Sequence, residues 1–155
     1  MKNELKNHGL QFIGNWISSN QHASVSHLKE KCKIGINFEL LTEWKKKRNV
    51  VYAFVSNGHV RYIGETSAGM NSRFTGYRYG NPLVRDTDNR IKMAITEVLN
   101  CNESVEIWAV CPIADYKLPS GKILTVPASK PLEEHLIGVL KPDLNVKNLY
   151  NGKHG

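Results

Sequence analysis

Residues 50–67, VVYAFVSNGHVRYIGETS, constrain the fold more than any other stretch of this 155-residue chain. β-branched and aromatic residues fill two runs, VVYAFV and HVRYIG, on either side of Ser56-Asn57-Gly58. A Gly-containing break between two such runs marks a β-hairpin. The hairpin carries Tyr52 and Tyr62, and its turn decides whether they share a face. A two-residue Asn57-Gly58 turn pairs Tyr52 with Ile63 and sends Tyr62 to the opposite face. A three-residue loop, with Gly58 left-handed, pairs Tyr52 directly with Tyr62. Side chains alternate along strands, so one residue of slip separates a shared site from two unrelated tyrosines. Local rules allow both registers.

Residues 1–49 read as helical. LQFIGNWI and HLKEKCKIGINFELLTEWKKK carry apolar residues at spacings of three and four. Ser26 is placed to cap a helix through Lys29 to Cys32, and Gly35 marks a break. EWKKKRN, residues 43–49, has two readings: a solvated helix end whose cations complement the macrodipole, or a phosphate-contacting patch of Lys45, Lys46, Lys47 and Arg48. A loose helix–turn–helix can also be drawn through 24–47. Beyond the hairpin, a short helix is expected around Asn71 to Tyr77. DTDNRIKMAITEVLN follows as a helix, with Asp88 as a cap and Ile91, Ile95 and Val98 or Leu99 on one face. SVEIWAV alternates as a third strand. Residues 112–129, interrupted by Pro112, Pro119, Gly121 and Pro127, read as a long loop or irregular hairpin. KPLEEHLIGVL is a helix with Pro131 near its first turn, closed by Pro142.

The expected fold is therefore α+β: a small antiparallel three-stranded sheet flanked by helices, with a helical N-terminal extension. That divides the chain into an extension (1–49), a core (50–148) and a tail (149–155). A net charge of +7 makes a polyanion a plausible partner without identifying one. No apolar run approaches the roughly 20 residues of a membrane span, and MKNELKNHGLQFIGNW lacks a signal-peptide pattern, so the expected setting is cytoplasmic. Cys32, Cys101 and Cys111 are odd in number and show no C-x-x-C spacing, so they are expected to be reduced and partly buried. The histidines form no zinc pattern.

VVY followed ten residues later by YIG resembles the paired signature of the GIY-YIG nuclease superfamily, with Val50-Val51 standing in for Gly-Ile. The rest of that signature follows in order. Arg73 lies eleven residues after Tyr62, with Tyr77 one helical turn further. EEHLIGVLKPDLN then resembles the family's E-x-x-L-I-x₄-P-x-x-N segment, with Glu133, Leu136, Ile137, Pro142 and Asn145 in place. Tyr77 stands where many relatives carry His, which places the chain nearer the excision-repair and compact-restriction branches. The resemblance favours the three-residue loop and a shared face for the two phenols.

The resemblance implies a DNA endonuclease, with double-stranded DNA as partner, Mg²⁺ (or Mn²⁺) as cofactor, and a homodimer as a candidate assembly. Tyr52 would be the general base and Tyr62 would position or assist it. A free phenol near pKa 10 is a poor base at neutral pH, so a nearby cation would have to lower it. Arg73 offers a planar, permanently charged donor fork for the phosphate, and Tyr77 would bond the phosphate or orient water. Glu133 would hold the metal; its rival Glu134 fits a solvent-facing helix start, but the spacing to Pro142 and Asn145 favours Glu133. Lys45 to Arg48, Arg78 and Asn145 are the candidate DNA contacts, and Asn145, which resembles the family's late asparagine, is alternatively structural or next to the site. Glu65, directly after YIG, departs from relatives with Lys or a small residue there; a carboxylate at that place could repel phosphate or join the metal site, but it is expected to face solvent at a strand end. Sequence-specific cleavage of both strands is the leading reading. Nicking of branched or lesioned DNA and an inactive DNA-binding module are the alternatives.

Overall fold

The computed structural model describes residues 2–19, 35–79 and 86–145. Its elements run α1 (Lys2–Asn7), β1 (Gln11–Ser19), β2 (Gly35–Leu40), a 3₁₀ turn (Thr42–Trp44), β3 (Val50–Ser56), β4 (His59–Thr66), α2 (Met70–Arg78), α3 (Asp86–Asn100), β5 (Val105–Val110), β6 (Ile113–Lys117), β7 (Ile123–Pro127), α4 (Ser129–Leu140) and a second 3₁₀ turn (Asp143–Asn145). Five strands form one sheet in the order β2-β1-β5-β3-β4, every neighbouring pair antiparallel. β6 and β7 pair as a separate two-stranded ribbon. Among the described residues no helix is long and apolar enough to cross a membrane.

The expected three-stranded sheet is therefore too small, and the expected helical extension is helical only at α1 and the first 3₁₀ turn among the described residues, with β1 and β2 as strands. β1 lies inside the main sheet between β2 and β5. The misreading has a physical cause. β1 shifts register between Phe12 and Gly14 against β5, so Ile13 is an extra residue in a bulge. The bulge puts Ile13 and Trp16 into the same buried cluster three positions apart, a spacing that imitates a helix. Gly35 opens β2 rather than breaking a helix. The expected Ser26 cap, the helix through Cys32 and most of the first half of the helix–turn–helix lie outside the described residues. EWKKKRN is a 3₁₀ turn and loop, not a helix end.

β3 is buried along its whole length, so its alternation divides the core in two. Tyr52 and Phe54 join Trp16, Phe74, Tyr77, Ile91 and Ile95 on the side covered by α2 and α3. Val51, Ala53 and Val55 join Leu5, Ile63, Trp108 and Leu136 on the side covered by α1 and α4. The expected α4 stripe of Leu132, Leu136, Ile137 and Leu140 does pack there. α3 covers the segment DTDNRIKMAITEVLN as expected, and residues 112–129 include the ribbon, the irregular hairpin of the two alternatives. Every residue of β6 and β7 is exposed. Cys101 is exposed and Cys111 half-buried, so only the latter is placed as expected.

The β3–β4 hairpin resolves its register by a third route. Asn57 (φ 52°) and Gly58 (φ 75°) form a two-residue turn with both residues left-handed, and Ser56 pairs with His59. The register then shifts between Phe54 and Val55, leaving Arg61 as a bulge. Phe54 consequently faces Tyr62, and Tyr52 faces Gly64. The two-residue turn supplies the tight reversal, and the bulge restores the shared face that this turn alone would have lost.

Candidate active site

Three phenols meet above the α2–α3 face of the sheet. Tyr52 comes from β3, Tyr62 diagonally from β4 and Tyr77 from α2. The Tyr52 and Tyr77 hydroxyl oxygens are 2.7 Å apart, and the Tyr77 hydroxyl donates to that of Tyr62 at 3.3 Å. Either oxygen of the shorter Tyr52–Tyr77 pair can donate. Tyr77 thus links the hydroxyls of Tyr52 and Tyr62. Phe54 and Phe74 wall the cluster, their ring centroids 5.5 and 5.0 Å from that of Tyr52.

Burial governs the chemistry of these phenols. Tyr52 is 1% exposed, Tyr77 0% and Tyr62 5%. Desolvation pushes all three pKa values above the ordinary phenol value, while Arg73 beside them pulls the other way. Arg73 lies at the edge of the cluster. Its guanidinium carbon is 4.0 Å from the centroid of the Tyr77 ring, and Nη1 donates to Asp88 Oδ1 at 3.0 Å.

Glu133 projects from the first half of α4 and is half-buried, whereas Glu134 is exposed. Burial raises the pKa of Glu133; Lys130 opposes this, and the nearby carboxylates of Glu65 and Glu134 add to it. The charge of Glu133 is also felt by Tyr62. Glu65 is not the free solvent-facing residue expected: it is half-buried and accepts a hydrogen bond from Ser129 Oγ at 3.4 Å. Among the described residues no three His, Cys, Asp or Glu side chains gather as a ready-made metal set. The donors present, Glu133 with Glu65 nearby, are hard oxygens of the kind Mg²⁺ prefers, and Mg²⁺ usually keeps several waters beside one or two carboxylates.

The candidate DNA contacts divide. Lys45, Lys46, Lys47 and Arg48 are exposed and flank the start of α2. The carbonyls of Lys47 and Lys45 accept the N–H groups of Met70 and Asn71 at 3.1 and 2.9 Å, and Arg48 Nε donates to Ser67 O at 3.1 Å. The basic loop therefore also fastens the beginning of the helix that carries Arg73 and Tyr77. Arg78 is directed away, its Nε donating to Ile36 O at 2.9 Å. Asn145 is 1% exposed and holds both backbone groups of Ile63, accepting from its N–H at 2.9 Å and donating to its carbonyl at 3.0 Å. Its place is under the hairpin rather than on a surface. The sequence reading missed Asp88 as a partner of Arg73 because the two are fifteen positions apart on different helices.

No protein-family model and no curated protein sequence matches the chain. Solved structures do. The chain is similar to a glutamate-to-alanine mutant of bacteriophage T4 EndoII, with a TM-score of 0.62 and 20% identity over 94% of this chain and 98% of that one. It is also similar to the restriction endonuclease Hpy188I, solved in complex with product DNA, with a TM-score of 0.51 and 20% identity over 87% of this chain and 74% of that one. The chain shares a fold with these two nucleases.

Proposed function

We propose that the chain is a DNA endonuclease of GIY-YIG type that hydrolyses phosphodiester bonds with a divalent metal and cuts both strands at a recognition sequence. The observation that carries this reading is the meeting of Tyr52, Tyr62, Tyr77 and Arg73 in one cluster, with the charge of Glu133 reaching Tyr62, on a fold shared with two nucleases. A packing role alone would not require a guanidinium among three linked phenols.

Glu133 would hold Mg²⁺ or Mn²⁺, with water and phosphate oxygens completing the shell. When bound, the metal would offset charge on the scissile phosphate and the leaving oxygen. Arg73, always protonated, would place N–H donors on the phosphate oxygens that gain charge in the transition state. The attacking water must give up a proton, and a phenol can take it only as phenolate. Tyr62 is the best placed of the three, because it is the least buried and Arg73 opposes the rise in its pKa; the negative charge of Glu133 adds to that rise, so a cation held there would be needed to favour the phenolate. Tyr52 and Tyr77 would hold it in orientation from behind, which reverses the roles implied by resemblance for Tyr52 and Tyr62. Lys45 to Arg48 would contact the DNA backbone. With one such cluster per chain, cutting both strands calls for two copies on the DNA.

The test is digestion of a long mixed-sequence duplex by wild type and Glu133→Ala, with Mg²⁺ and with EDTA. Discrete fragments that disappear with EDTA, and a loss of roughly 10²-fold or more in the variant with DNA binding retained, are expected. Cleavage confined to branched or flapped DNA would favour the nicking alternative. DNA binding without cleavage of any substrate would leave a binding module.

A further inference from the structure

We infer that Asp88 is a positioning residue for Arg73, aiming its guanidinium at the site; the inference rests on the nuclease reading above. Asp88 sits in the first turn of α3, where the sequence alone reads as a helix cap. Its carboxylate reaches α2 and accepts a hydrogen bond from Arg73 Nη1 at 3.0 Å. The carboxyl side chain is 5% exposed and the arginine side chain 22% exposed, so the bond lies largely out of water, where a charge-assisted contact is strong and directional. The Tyr77 ring lies 4.0 Å from the guanidinium carbon. The ring beneath Cζ and the carboxylate on Nη1 hold the group at two points. The ring alone would leave the donors free to turn, and the arginine stem has enough rotamers to use that freedom.

The geometry also makes a prediction of opposite signs. A carboxylate beside Arg73 reduces the net positive charge offered to a phosphate, so it does not serve raw attraction for DNA. It serves orientation. Removing its charge should leave duplex affinity unchanged or higher while slowing the chemical step. A residue that merely supported the fold would lower both.

The experiment uses full-length wild type, Asp88→Asn and Asp88→Glu. Guanidinium N–H resonances of Arg73 report how freely the group rotates, independently of any activity. Single-turnover cleavage and duplex binding are measured beside them. Expected are separate, slowly exchanging Arg73 resonances in wild type, averaged ones in Asp88→Asn, cleavage slowed roughly 10–100-fold at unchanged or tighter DNA affinity, and partial recovery in Asp88→Glu. Unchanged resonances in Asp88→Asn, or cleavage and binding falling together, would overturn the inference. Should Asp88→Asn fail to fold, averaged resonances in wild type overturn it and slow ones support it. Should wild type cleave no DNA, the nuclease reading fails, and the resonances alone judge the positioning role.

Discussion

A Cβ atom at Gly64 would lie 2.5 Å from the Tyr52 ring, because Tyr52 and Gly64 are direct partners across the hairpin. The glycine of YIG is thus a space kept clear for the first tyrosine. Gly64→Ala should force the ring off its seat, with a loss of about 1–3 kcal/mol in urea unfolding and a weakened Tyr52–Tyr77 bond. The phenols themselves set an alkaline limit. Their folded pKa values are raised by burial, so the neutral forms contribute stability that is fully present below about pH 10, the ordinary phenol value, and is lost as pH climbs toward the folded values. A tyrosinate absorbance titration should show Tyr52, Tyr62 and Tyr77 ionising together with unfolding rather than at their ordinary value. At this scale the resemblance to a known signature named Tyr52, Tyr62, Arg73, Tyr77 and Glu133, and the structure brings the three tyrosines and Arg73 into one cluster. The sequence offered Asp88 only as a cap and was silent on its partner Arg73, which is chosen by the packing of α2 on α3. For Asn145 it left a DNA contact and a structural role both open, and the burial of the residue under the hairpin favours the structural role.

Asn145 belongs to an element-scale device. The 3₁₀ turn Asp143–Asn145 clamps β4 through both backbone groups of Ile63, beside the Arg61–Asp143 ion pair at 2.8 Å. Asn145→Ala would leave a buried N–H and a buried carbonyl without that partner, at a cost of about 2–5 kcal/mol; Asp143→Ala, breaking an exposed pair, should cost under about 1 kcal/mol. Equilibrium denaturation of the two variants checks the contrast. The elements legible beforehand were the hairpin strands β3 and β4, the third strand β5 and the helices α2, α3 and α4. The two failures of register, at Phe12/Gly14 and Phe54/Val55, are both bulges. A bulge inserts one residue into an alternating pattern, so a period-two reading fails at that residue even when the strand is correctly placed. In β1 the result looked like a helix. In β3–β4 it replaced the choice between two turn lengths with a short turn and a correction downstream.

For the whole molecule, the net charge of +7 is an electrostatic statement about association rather than about the fold. Affinity for duplex should fall steeply as salt rises. Replacing Lys46 and Lys47 by Gln should lower the slope of log affinity against log salt by about 1 for each phosphate no longer neutralised, while leaving the unfolding midpoint nearly unchanged. The β6–β7 ribbon has a different character. One of its faces is made of Ala114, Tyr116, Leu124 and Val126, all exposed. Its base is pinched shut where Ala128 N–H bonds Pro112 O at 3.0 Å, so the chain leaves β5, travels out along the ribbon and returns to almost the place it left. A closed excursion of this kind is a detachable module. Residues 113–127 could be exchanged for a short turn without parting β5 from α4, and so without moving the helix that carries Glu133. The main sheet with its helices and the protruding arm are therefore separable parts, free to diverge at different rates and open to being grafted or trimmed one at a time.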